Sequence, residues 1–124
     1  MRKMLAVAAL ATVLSSCGSA NAAPHRLDPT SDLDCALTAY VFYLNAVQTG
    51  APEKPTRGLH IANQWFAASM AARGYKPTEA EKTAVSDAIL SDINAARAEL
   101  KGCLNRANQD SRFSAFVDRM GWQR

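Results

Sequence analysis

The residues of this 124-residue chain with the clearest capacity for covalent chemistry are its three cysteines, Cys17, Cys35 and Cys103. Cys17 falls within an N-terminal leader, which leaves two thiols for the mature protein. In an oxidising compartment an even cysteine count implies a disulfide, here Cys35–Cys103. Other constellations are missing. No Cys-x-x-Cys motif supports thiol exchange, and no Cys-x-x-Cys-His motif would attach haem. Neither a phosphate-binding glycine loop nor a His-Glu-x-x-His zinc helix occurs. Of the two histidines, His60 has no metal-binding residue at i+3 or i+4 and reads as a boundary residue, and His25 reads as a solvated residue. The carboxylate pairs Asp32/Asp34 and Glu79/Glu81 read as charges placed at helix starts. The expectation is a non-enzymatic protein without a catalytic residue, a metal or a cofactor.

The leader sets the compartment. Arg2 and Lys3 precede an apolar run from Met4 to Leu14, which is too short for a membrane span of ~20 residues but suits an export signal. Residues 1–22 are read as that signal. Two processing sites overlap within it. Leu14-Ser15-Ser16-Cys17 resembles the lipobox of bacterial lipoproteins, which makes Cys17 the lipidation candidate. Ala20-Asn21-Ala22 resembles an ordinary small-x-small cleavage site. Export to the periplasm follows from either, with membrane attachment only through an acylated Cys17. The precursor's net charge of +3 falls to +1 once Arg2 and Lys3 are removed. A near-neutral chain of dispersed charge has no electrostatic footprint for nucleic acid.

Behind the leader, residues 23–30 are small, polar or Pro-containing and read as a flexible tether; residues 31–124 suit a single all-α domain of three to four helices. Ser31 and Asp34 mark the first helix start, and Leu33, Leu37, Tyr40, Leu44 and Val47 recur at helical steps up to a stop at Gly50. A second helix is expected from Thr56 or Arg57 to Arg73, and Thr78-x-x-Glu81 forms a capping box for the third. Its apolar register runs through Val85, Ile89, Ile93, Ala96, Leu100 and Cys103. A polar break over 105–110 precedes a short last helix with Phe113, Phe116, Val117 and Met120 on one face. No stretch alternates as a strand does.

The disulfide then constrains topology. In an up-down-up-down bundle, helices one and three run parallel and place Cys35 and Cys103 at opposite ends of helices about 38 Å long for about 25 residues. A disulfide needs Cα atoms roughly 4.4–6.8 Å apart. Three arrangements meet both demands: a steeply crossing second helix with helices one and three antiparallel, a break in helix three near Gly102, or pairing between chains. The two-proline linker before helix two favours the first.

The remaining candidates are aromatic. Tyr40, Phe42, Tyr43, Trp65, Phe66, Phe113 and Phe116 form either a plain core, an apolar pocket or an exposed patch. The first functional expectation is a small exported cell-envelope module that binds another envelope protein. The alternative is a carrier of a small apolar ligand in an aromatic-lined helical pocket. In layout, Asp34-Cys35-Ala36-Leu37 at the first helix start and Cys103 before a Phe-containing terminal helix resemble periplasmic acid-stress chaperones. That resemblance covers residues 31–120 without a specific motif and with a longer cysteine spacing. It implies a stress-chaperone role in which acidification exposes apolar surface.

Overall fold

A computed structural model describes residues 24–122. The export signal 1–22, with Cys17 and both cleavage sites, lies outside the described residues. Among those residues the structure is entirely helical: α1 (Asp32–Thr49), α2 (Glu53–Ala72), α3 (Glu79–Ser91), α4 (Ile93–Gln109) and α5 (Ser111–Arg119). None of the five is long and apolar enough to cross a membrane.

The helix ends follow local chemistry. The Ser31 hydroxyl accepts from the Asp34 N–H at 3.2 Å and starts α1. Gly50 closes it with φ 69°, a left-handed conformation that only glycine adopts without cost. The capping box of α3 is complete, with Glu81 N donating to Thr78 Oγ1 and Thr78 N to Glu81 Oε1. Helix α2 starts at Glu53, earlier than the sequence suggests. Pro55 then occupies the first turn, where its missing N–H would have had no helical partner.

The expected third helix is two helices. Ser91 ends α3, and Asp92 leaves the helical conformation (φ −149°, ψ 88°) while its Oδ1 accepts from Ala95 N at 3.0 Å. A short acidic side chain competes for backbone donors more effectively as a cap than it supports a helix interior. Helix α4 then runs unbroken through Gly102 to Gln109, so neither a break at Gly102 nor a polar gap from Asn105 exists. Asn105, Asn108 and Gln109 form the solvent side of a helix whose inner positions are Cys103 and Ala107.

This extra reversal reconciles the disulfide with short loops. Cys35 and Cys103 are bonded within the chain, with Cα atoms 5.5 Å apart. Along α1, Asp32 meets Arg106, Cys35 meets Cys103 and Phe42 meets Arg97, so α4 runs antiparallel to α1. Helix α2 is antiparallel to α1 as well: Arg73 reaches Asp32, and His60 reaches Tyr43. The break at Asp92, rather than a steep second helix, resolves the geometry.

The core gathers at the junction of all five helices, around Phe66, Ile61, Ile89, Val85 and Val117 with the two cysteines. Residues 24–30 cross its upper edge. His25 Nε2 lies 2.8 Å from Asp34 Oδ2, and Asp28 N donates to the same oxygen. Arg106 Nε donates to Pro29 O at 2.8 Å. Pro29 rests on Gly102, where an added Cβ would come within 2.8 Å of the proline. That close approach accounts for a glycine inside α4, a position where it costs about 1 kcal/mol relative to alanine.

Candidate functional site

The seven aromatic candidates separate into four groups. Phe66 is fully buried and belongs to the core. Tyr43 stacks on His60 with ring centroids 4.7 Å apart, and Tyr40 lies beside Tyr43 on the exposed side of α1. Phe42 borders a groove of about 560 Å³ with Leu44, Leu90 and Ile93, under the Arg97 guanidinium. Trp65, Phe113 and Phe116 converge: the indole meets both rings edge-on, at 5.4 and 5.5 Å.

Phe113 is buried in the core, while Trp65 and Phe116 form the wall of a larger concavity. A groove of about 630 Å³ opens between α2, α4 and α5. Trp65, Phe116 and four alanines (68, 72, 107 and 115) make it apolar, and the alanines keep it open because they carry nothing beyond Cβ. Its charged residues are Arg73, Arg106, Arg112 and Arg119 with Asp32 and Asp110. The volume lies within the ~300–1,000 Å³ of small-molecule sites.

Each charged side chain has an identifiable setting. Asp32 bridges two arginines, with Oδ1 3.0 Å from Arg106 Nη1 and Oδ2 2.9 Å from Arg73 Nη2. Arg106 also lies over the Phe66 ring, 5.0 Å from its centroid, and so ties groove to core. Asp110 caps α5 by accepting from Arg112 N, while Arg112 Nε and Nη2 donate to its two oxygens. The Arg112 side chain, followed by the backbone bond, holds the Asp110 carboxyl down at about 2, so it stays ionised throughout the neutral range. Arg119 has a different environment. Its guanidinium is 5.8 Å from the Phe116 centroid, and no carboxylate pairs with it among the described residues.

The cysteine pair is no part of this groove. Both sulfurs are fully buried, and Glu99 Oε1 lies 3.0 Å from Cys103 Sγ and 3.7 Å from Cys35 Sγ. Two thiolates and a carboxylate so placed would suggest a metal centre, but the sulfurs are bonded to each other. The trio is a carboxyl packed against a staple. Burial raises the Glu99 pKa, and the Asp34 and Asp28 carboxylates add to the rise. Thr38 is close enough to oppose it, although neither Thr38 Oγ1 nor Glu99 Oε2 reaches full hydrogen-bond geometry.

That cost has a sign that can be measured. With its folded-state pKa raised, Glu99 binds a proton more readily in the folded protein than in the unfolded chain. The penalty is absent below the ordinary carboxylate value and grows as pH rises through the raised one. Glu99→Gln should therefore stabilise the protein at pH 7–8 by about 1 kcal/mol, the scale of a buried unsatisfied polar group. The gain should vanish towards pH 4. Denaturant unfolding at the two pH values checks this; a gain independent of pH would refute it. Asp28, Glu81 and Asp110 act in the opposite direction. Their lowered pKa values, caused first by bonds from Thr30, Tyr75 and Arg112 respectively, give stabilisation that is lost as pH falls through them.

Sequence reasoning identified Trp65 and Phe116 but not the arginines, which are scattered from 73 to 119. One signal was available: Arg112, Phe116 and Arg119 occupy i, i+4 and i+7 of a short helix, a single face. Comparison with known proteins gives no match: no family model, curated protein or solved structure aligns with the chain.

Proposed function

We propose that this protein is a small exported, non-enzymatic binding protein of the cell envelope, whose ligand site is the groove between α2, α4 and α5. The observation that carries this reading is the convergence of Trp65 and Phe116 with an arginine rim in one 630 Å³ concavity. Binding sites combine an apolar lining with a few polar groups that fix orientation. The groove has both. The leader and the buried disulfide support an exported, oxidising setting.

The geometry favours this ligand-binding alternative over the protein-interaction module expected first from the sequence. Tyr40, Leu44, Val47, Leu90 and Ile93 are exposed on the far side of the molecule. Leu44, Leu90 and Ile93 line a groove there with one charged group, Arg97, beside Asn45 and Gln48, whereas the groove between α2, α4 and α5 gathers four arginines around its aromatic wall.

Native mass spectrometry of protein isolated from its own envelope tests the proposal. The parent should retain a bound small molecule, whereas Ala115→Trp, which fills the groove with an indole, should carry none. Equal retention by the two, or no bound mass in the parent, would contradict it.

A further inference from the structure

Building on the groove as the binding site, we infer its ligand class: a single-chain anionic amphiphile, with a carboxylate or phosphate head on an apolar body. Four guanidinium groups face two carboxylates in the groove, an excess of two positive charges on a chain whose net charge without the leader is only +1. The charge is concentrated where the apolar lining is. Both parts of an amphiphile therefore have counterparts.

The arrangement also assigns the ends. Arg73 and Arg106 are committed to Asp32, and Arg106 is further held by Pro29 O. They hold the Asp32 side of the groove, Arg106 half-buried and Arg73 exposed. Arg112 and Arg119 lie two turns apart on one face of α5, and both are exposed at the rim. Among the described residues Arg119 has no competing carboxylate, and Arg112 keeps N–H donors to spare beyond its bonds to Asp110, since a guanidinium carries five. A carboxylate or phosphate head can accept charge-assisted bonds from the two together. The apolar body then lies along Phe116 and Trp65, over the small alanine side chains. A neutral molecule would leave the rim's charge unused, and a cation would be repelled by it.

The test is a fluorescence titration of the whole mature protein carrying Trp122→Phe, which leaves Trp65 as its only indole. The probes are decanoate and decyl phosphate, neutral decanol and cationic decyltrimethylammonium, each below its micellar concentration. Both anions should bind at least tenfold more tightly than decanol, with affinity falling as salt is raised. Arg112→Gln with Arg119→Gln should abolish that preference in a protein that still melts cooperatively, with the midpoint lowered only by the little that the exposed Arg112–Asp110 pair contributes. Decanol binding as tightly as the anions, or binding insensitive to salt, would overturn the ligand class while leaving the groove a site. Preference for the cation would overturn it too. Failure of all four probes would remove the site itself.

Discussion

Removing the disulfide by Cys35→Ala with Cys103→Ala should destabilise the protein by roughly 4 kcal/mol, the entropy gained by an unfolded chain released from a cross-link spanning 68 residues. For a domain of this size such a loss corresponds to a fall of roughly 15–30 °C in midpoint. Few single features weigh as much against a typical total of about 5–15 kcal/mol. The cross-link ties the start of α1 to the second half of α4. Because both sulfurs are fully buried, dithiothreitol should reduce the native protein slowly and the denatured protein at once. A double variant that melts with the parent would show that packing alone holds α1 against α4.

Phe66→Ala should cost about 3–5 kcal/mol, the range for deleting a buried aromatic ring that its surroundings cannot collapse to replace. Phe66 is fully buried, and Arg106 covers one face of its ring. The deletion removes transfer energy and packing and leaves Arg106 without its aromatic neighbour. It should also weaken ligand binding, since Arg106 joins the core to the groove wall. Phe66→Leu should cost markedly less. Denaturant unfolding of both variants, with the slope of the transition unchanged, checks this; a loss below about 1 kcal/mol for Phe66→Ala would place the ring outside the core.

The parts of the fold that depend on nearest neighbours in sequence are legible in the residues. Ser31 as a cap, Gly50 as a stop and the Thr78/Glu81 box are local devices, and each is present in the structure. Cysteine parity alone predicted the staple. The break at Asp92 was hidden because Val85, Ile89, Ile93 and Ala96 keep one helical register across it. Periodicity reports which face is apolar, not whether the backbone continues, and Ile93 is in fact exposed. The hidden break is what makes the disulfide and short loops compatible.

Long-range pairings were the other gap. His25 reads as a solvated residue of a tether, yet it meets Asp34 at the buried start of α1. Asp32 reads as a helix-start charge and also bridges Arg73 and Arg106, which are brought together only by two helix reversals. For the same reason the aromatic half of the groove could be anticipated, through Trp65 and Phe116, while of its cationic half only Arg112 and Arg119, on the Phe116 face, left a signal. A site assembled from α2, α4 and α5 has no linear motif.

The most direct measurement of the central claim uses the protein's two indoles, Trp65 in the groove wall and Trp122 outside it. Trp122 packs on Gly58, and its Nε1 donates to Lys54 O at 3.1 Å. In a nitrogen-15 NMR titration with decanoate, the Trp65 indole resonance should shift and saturate while that of Trp122 stays in place. Equal movement of both, or movement of neither, would contradict a binding site between α2, α4 and α5.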